Sequence, residues 1–119
     1  MKVLCIGHTA YDITVLTDGY PKENVKYRVE KRIECGGGPA SNAAYLLGKW
    51  GIKTYIASVV GNDIYGKRIK KEFTDVGVDT TYLELSNKYK TTSSFIIVNK
   101  KNASRTVFTY RNPQMRIND

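Results

Sequence analysis

The stretch that decides the fold is Gly36-Gly37-Gly38-Pro39-Ala40-Ser41-Asn42-Ala43-Ala44, in which three glycines lead directly into an amphipathic helix. Glycine permits a positive φ angle and a close approach of the backbone to a ligand. The first turn of a helix offers unpaired N–H groups and the positive end of the helix dipole. Such a junction can bind an anionic or oxygen-rich ligand, although a glycine-rich turn can also serve only to connect a strand to a helix.

The residues that open this helix suit a binding role. Pro39 fits the first helical turn, where its missing N–H costs nothing. Ser41 or Asn42 is expected to face inward from the same turn. The amide of Asn42 can donate and accept hydrogen bonds together, as recognition of a sugar hydroxyl requires. Asn42 is therefore a candidate ligand-binding residue.

Small residues recur at fixed distances after the glycine run. The pattern Gly37-Gly38-x-Ala40-x-Asn42-x-Ala44 is followed by Gly51 and Gly61, so that it fixes several residue types over 25 positions. It resembles the N-terminal signature of the ribokinase-like (PfkB) family of carbohydrate kinases. A dinucleotide-binding G-x-G-x-x-G motif is the competing interpretation, but Ser41 occupies the place of its third glycine.

The resemblance implies an α/β fold with a three-layer α/β/α body, partly present in this chain, and a small β-sheet lid. Residues 1–119 would be the N-terminal part of one kinase domain, about its first two fifths, with lid strands at about 13–34 and 91–111. Such kinases transfer the γ-phosphoryl group of ATP to a sugar hydroxyl and ordinarily need magnesium. The lid often mediates dimerisation in the family, so the resemblance also implies a homodimer.

Hydrophobic periodicity predicts elements in a compatible order. A first strand at residues 2–7 is apolar throughout and is expected to be buried on both faces. The turn Gly61-Asn62-Asp63-x-x-Gly66 makes Asp63 the N-cap of a helix, and we assign this aspartate no chemistry. The last two strands should pair as a hairpin, because their connection is short and polar. The further strands are predicted at 13–17, 26–34, 53–60, 78–85, 91–99 and 105–111, and the helices at 39–49 and 64–75.

Five residues are candidates for binding the substrate: Asp12, Gly37, Gly38, Asn42 and Arg111. Asp12 follows the first strand, at the edge where open α/β sheets bind ligands, and would accept hydrogen bonds from sugar hydroxyls or form an Asx turn. An aspartate at this place contacts the sugar in the family. The resemblance thus makes Asp12 and Asn42 contacts to sugar hydroxyls, and Gly37 and Gly38 the backbone that approaches the ligand. Arg111 is either a donor to an anionic or hydroxylated substrate or, as position alone favours, a surface arginine.

Composition excludes several other functions. The 119 residues, 41% of them hydrophobic, suffice for one domain with one core. The formal net charge is +8, but the basic residues are dispersed, so we expect no nucleic-acid partner and only a general attraction for anionic substrates. Two cysteines and one histidine predict neither a disulfide framework nor a metal site. The chain opens directly into a strand, without a signal peptide or membrane span, so a cytoplasmic protein with no membrane partner is expected.

The family's phosphoryl-transfer motif does not occur in this sequence. That motif has an aspartate base in an Asp-Thr-x-Gly-Ala-Gly-Asp-like run, and neither it nor a P-loop precedes Asp119. We expect the catalytic base and the sites for ATP and Mg²⁺ to lie beyond Asp119, and residues 1–119 alone to be inactive and to bind neither cofactor. Two alternatives stay open. One is a non-catalytic sugar-binding or interaction module that lost the nucleotide half, and the other is a nucleoside kinase of the same family.

Overall fold

The computed structural model of the protein describes residues 1–117, which form a mixed α/β structure as predicted. The helices are α1 (Pro39–Lys49) and α2 (Ile64–Asp75). The strands are β1 (Lys2–Ile6), β2 (Ala10–Thr17), β3 (Arg32–Gly37), β4 (Lys53–Gly61), β5 (Leu83–Ser86), β6 (Ser93–Asn99) and β7 (Ser104–Tyr110).

Strands β1, β4 and β5 form a parallel sheet in the order β1-β4-β5. Parallel neighbours need a crossover connection, and the one between β1 and β4 contains α1, which packs on both strands. The expectation that β1 is buried on both faces is wrong. Cys5 packs against the core, whereas Leu4 and Ile6 are exposed, because α1 covers one face and the opposite face is open to solvent in residues 1–117.

A second sheet of four strands has the order β3-β2-β6-β7 and is built from non-contiguous segments, as the lid prediction required. β2 runs parallel to β6, and the two outer pairings are antiparallel. The predicted hairpin is confirmed, since β6 pairs with β7 from Ser93↔Tyr110 to Asn99↔Ser104. Residues directly opposite one another share a face, so Asp12, Cys35 and Ser94 lie on the same side of this sheet.

Three strands differ clearly from the predicted bounds, and the others differ by one or two residues at an end. The strand predicted at 13–17 is β2, which begins earlier, at Ala10. The strand predicted at 26–34 is β3, which begins at Arg32 and continues through the first two glycines, because its pairing with β2 extends only from Val15↔Arg32 to Ala10↔Gly37. The strand predicted at 78–85 is β5, which begins at Leu83. Asp79 forms a single bridge to Tyr55, and its carboxylate then accepts the Thr81 N–H at 2.8 Å, which turns the chain before β5.

Both helices have the predicted bounds, and the core lies where they meet the two sheets. Gly38 precedes α1 with a positive φ of 96°, and Asp63 is the N-cap of α2, accepting the Gly66 N–H at 2.9 Å. The largest fully buried side chain is Phe73 of α2. The buried hydrophobic cluster consists of Tyr11, Ile13, Ala44, Ile56, Val60, Ile69, Phe73, Val78 and Leu83.

Candidate substrate site

Asp12 and the end of the glycine run lie against each other. Asp12 belongs to β2, where it faces Cys35 of β3, and so it stands inside a strand of the four-stranded sheet and not in a loop after β1. A Cβ atom placed on Gly37 would overlap the Asp12 carboxylate. Glycine at position 37 therefore makes the space in which this carboxylate lies.

Gly38 makes a second close approach, to the backbone that follows β1. With its φ of 96°, Gly38 holds a conformation that side chains with a Cβ rarely adopt. A Cβ there would also lie 2.6 Å from the carbonyl oxygen of His8. The neighbours that require glycine at positions 37 and 38 are thus the chain's own Asp12 and His8, which the run brings beside the start of α1.

Two charged groups, Arg111 and Asp12, act on the imidazole of His8. Burial lowers the pKa of His8, the positive charge of Arg111 lowers it further, and the Asp12 carboxylate raises it. Burial raises the pKa of Asp12, and the charges of Arg105 and His8 oppose that shift. Within residues 1–117, the side-chain carboxylate of Asp12 receives no hydrogen bond and forms no ion pair. It is a half-buried carboxylate with its acceptor positions free.

A cleft opens beside this group, between the ends of β1 and β4 and the segment that follows β7. Arg111 lies there, directly after the last strand as predicted, together with His8 and Thr9. The lining of this cleft also includes Ser58 and Val59 of β4, and Arg116. Arg111 is exposed, as position alone suggested, but it borders this cleft and acts on His8.

Asn42 lies in a different cleft, between β3, α1 and α2. Of the two residues expected to face inward, Ser41 is buried and Asn42 is exposed. Asn42 lines this second cleft with Cys35 and Glu72. The Glu72 carboxylate accepts the Gly36 N–H at 2.7 Å, and burial raises the pKa of Glu72 despite this bond. The structure therefore groups Asp12, Gly37, Gly38 and Arg111 near His8 and places Asn42 in a second cleft, whose lining includes Gly36 of the same run.

Three residues in or near the candidate site were not among the predicted site residues. His8 is the single histidine of the sequence, and its place just after β1 puts it at the edge where open α/β sheets bind ligands. Arg105 approaches Asp12 because of the register of β6 with β7, and Glu72 reaches Gly36 because of how α2 packs on β3. No local sequence pattern predicts either of these interactions between distant segments.

The described residues contain neither a metal cluster nor a membrane-spanning helix. In residues 1–117, no three His, Cys, Asp or Glu side chains come together in a way that could hold a metal ion. None of the helices in that range is long and apolar enough to cross a membrane.

Comparison with known proteins identifies the fold as that of ribokinase-like kinases. The structure of Arabidopsis thaliana ribokinase, solved in complex with ribose and ATP, superposes with a TM-score of 0.78 over 92% of this chain and 35% of that one, at 23% identity. The sequence of residues 1–119 matches the family described as "pfkB family carbohydrate kinase". The chain belongs to this family.

Relatives within the family act on different substrates. A nucleoside kinase of Methanothermobacter thermautotrophicus is 27% identical over 95 residues, which are 80% of this chain and 31% of that protein. Mouse ketohexokinase is 28% identical over 109 residues, which are 92% of this chain and 37% of that protein. The chain thus spans about a third of the length of the curated relatives it matches.

Proposed function

We propose that this chain is the substrate-binding, N-terminal part of an ATP-dependent kinase that phosphorylates a sugar hydroxyl. The observation that carries the proposal is the Asp12 carboxylate, half-buried, without a hydrogen bond in residues 1–117, and held in the space left by Gly37. A carboxylate in that state accepts hydrogen bonds from the hydroxyls of a bound sugar. Membership of a kinase family supports the assignment of the reaction.

The other candidate residues fit around the same glycine run. Gly37 touches Asp12, and Gly36 lines the cleft that contains Asn42. A sugar laid across the run would contact both polar side chains, with Gly38 beneath it. We therefore retain Asn42 as a substrate contact. Replacement of Asn42 by alanine should weaken substrate binding by about 1 to 3 kcal/mol, the usual cost of losing a buried hydrogen-bonding partner.

The parts that perform phosphoryl transfer are proposed to lie beyond Asp119. ATP would supply the phosphoryl group and Mg²⁺ would neutralise its charge. We propose that residues 1–119 bind neither and are inactive alone, and that the complete protein works in the cytoplasm, where ATP is available. Consumption of ATP distinguishes this kinase from the alternative of a non-catalytic module, because such a module would not consume ATP.

A nucleoside is the second candidate substrate. The nucleoside kinase of M. thermautotrophicus matches 80% of this chain, at an identity similar to that of ketohexokinase. Asp12 would then contact the ribose hydroxyls, so that the same residue serves both substrates. A nucleoside differs from a free sugar in carrying a base in addition to the ribose.

We also propose a homodimer through the four-stranded sheet. Phe95 of β6 stands directly opposite Phe108 of β7, and both rings are about half exposed, as is the nearby ring of Tyr110. Neighbouring exposed aromatic side chains are typical of protein interfaces. Sedimentation of the complete protein should give a dimer, and Phe108→Glu should give a monomer. A monomeric wild-type protein would contradict this proposal.

The test of the kinase assignment is product formation by the complete protein that the natural reading frame encodes. Wild-type protein is incubated with ATP and Mg²⁺ and, separately, with neutral hexoses and pentoses, nucleosides and phosphorylated sugars, and mass spectrometry detects added phosphate. We expect one of these classes to gain a phosphoryl group with equimolar ADP. Absence of transfer to every class, with a correctly folded protein, would contradict the proposal and leave the non-catalytic module.

A further inference from the structure

The cleft beside His8 is lined by cationic side chains and, in the described residues, by no carboxylate. The cationic side chains of its lining are those of Arg111 and Arg116, which lie there beside the imidazole of His8. Neither arginine forms an ion pair within residues 1–117. A guanidinium presents its N–H donors in a planar fork that matches phosphate oxygens. The cleft therefore offers cationic donors that no acidic side chain in this part of the chain has neutralised.

A buried hydroxyl at the same cleft lacks a partner. Thr9 lines the cleft and is 1% exposed, and its Oγ1 has no hydrogen-bond partner in the described chain. Buried hydroxyls in proteins are nearly always hydrogen-bonded, so an exception indicates a missing partner. An oxygen of a ligand in the cleft would supply that partner. Thr9 and the arginines are independent observations, since one concerns a neutral buried group and the other an excess of positive charge.

We infer that this cleft binds a phosphate group that the substrate itself carries. The inference rests on the kinase function proposed above and narrows the substrate to a phosphorylated sugar. Hydroxyls of the sugar would meet Asp12, and the phosphate at its other end would meet Arg111, with the Thr9 hydroxyl donating to a phosphate oxygen. The new phosphoryl group is added at a free hydroxyl, not at this site.

The dimensions and the position of the cleft suit this arrangement. Its volume is about 230 Å³, below the roughly 300 to 1,000 Å³ of pockets that enclose drug-sized ligands. A phosphate-bearing end of a sugar fits that space better than a whole nucleoside does. His8 and Arg111 both line the cleft, and the charges of Arg111 and Asp12 both act on the His8 imidazole, so Asp12 lies near the cleft.

Phosphate could also come from ATP, and the experiment separates the two sources. Calorimetry on the complete natural protein measures the binding of ribose, ribose 5-phosphate, fructose, fructose 6-phosphate and ATP. The variants are Arg111→Gln and, as a charge-matched control, Arg28→Gln, because Arg28 is exposed and remote from this cleft. We expect at least one sugar phosphate to bind tenfold or more tightly than its neutral counterpart. Arg111→Gln should remove most of that preference, and Arg28→Gln should change affinity less than twofold.

Thr9→Val gives a second test that does not alter charge. Valine has the shape of threonine without the hydroxyl, so this variant should fold and should be no less stable than the wild type, because the lost hydroxyl had no partner. Its affinity for the same sugar phosphate should fall severalfold. A hydroxyl with a purely structural role would give the opposite result, with lower stability and unchanged affinity.

Each other outcome has a definite meaning. If neutral sugars or nucleosides bind as tightly as sugar phosphates and accept phosphate from ATP, the inference is overturned and the kinase function stands. If Arg111→Gln weakens ATP but no sugar phosphate, the cleft belongs to the nucleotide and the inference is again overturned. If the protein neither binds any sugar or nucleoside nor turns over ATP, both the inference and the proposed function fail.

Discussion

The two strand-to-helix junctions of this protein use the same kinds of residue for opposite purposes. At the junction of β4 and α2, the Asp63 carboxylate accepts the N–H groups of Gly66 and Thr91, each at 2.9 Å, and the Thr91 hydroxyl at 2.7 Å. At the junction of β3 and α1, the carboxylate beside the glycines is Asp12, and residues 1–117 give it no hydrogen bond. Glycine makes room for the carboxylate in both places.

The pKa values of Asp63 and Asp12 shift in opposite directions because of this difference in hydrogen bonding. Although burial raises the pKa of Asp63, hydrogen bonds from Thr91 and Gly66 lower it more, so its pKa lies below the ordinary value. Burial dominates at Asp12 and raises its pKa. A fully bonded carboxylate stabilises the fold, whereas an unbonded, half-buried one costs stability and is free to bind a ligand. The junction of β4 and α2 is therefore structural, and the junction of β3 and α1 is the candidate site.

The largest expected effect comes from adding a methyl group at each junction. In Gly66→Ala, the new Cβ would overlap the carbonyl oxygen of Gly61, which is backbone and cannot move aside. We expect a loss of about 3 kcal/mol or more in the free energy of unfolding, measured by urea denaturation of the complete protein. In Gly37→Ala, the Cβ meets the Asp12 side chain, which can rotate away, so the loss should be clearly smaller. Equal losses would remove the distinction between the junctions.

Removal of the structural carboxylate should have the next largest effect. Asp63→Ala leaves three donors without their acceptor and removes the N-cap of α2, and we expect a loss of about 2 kcal/mol in the free energy of unfolding. The control is Asp75→Ala, because Asp75 forms only an exposed pair with Lys71. That control should lose less than about 0.5 kcal/mol. A similar small loss for Asp63→Ala would show that its hydrogen bonds do not support the fold.

The two aspartates should also give opposite pH dependences of stability. Asp63 has a lowered pKa, so its contribution is present above the pKa of the unfolded chain, about 3.9, and is lost as pH falls. Asp12 has a raised pKa, so its contribution is present below about 3.9 and is lost as pH rises through the folded value.

Denaturation of the wild type, Asp63→Asn and Asp12→Asn from about pH 3 to about pH 6 measures this directly. The stability advantage of the wild type over Asp63→Asn should grow as pH rises through the lower part of that range. Its stability relative to Asp12→Asn should fall as pH rises through the upper part. Slopes of the same sign for both variants would disprove the assignment of opposite roles.

The features that the sequence predicted are those with local causes. Pro39 after the glycine run and Asp63 before Ile64 determine where α1 and α2 begin, and both helices have the predicted bounds. The family resemblance, which depends on the spacing of small residues around Asn42, is confirmed by the match over residues 1–119. Caps and spacings act within one or two turns of chain, so they can be recognised without a structure.

The features that escaped prediction depend on pairing between distant segments. β3 begins later than expected because its pairing with β2 extends only from Val15↔Arg32 to Ala10↔Gly37, and Asp12 stands inside a strand because β2 begins at Ala10. Arg111 shares a cleft with His8 because it directly follows β7, which the hairpin with β6 positions. The placement of Asn42 in a separate cleft follows from helix packing. None of these relations has a local sequence pattern, and the roles of all five candidate residues in binding remain predictions.

The central claim is that Asp12 serves the ligand and not the fold, and Asp12→Asn in the complete natural protein tests it most directly. Asparagine keeps the size of the side chain and removes its charge. We expect affinity for whichever sugar, sugar phosphate or nucleoside the complete protein binds to fall at least tenfold, while the free energy of unfolding near neutral pH stays the same or rises. Unchanged affinity, or a stability loss comparable with that of Asp63→Ala, would contradict the claim.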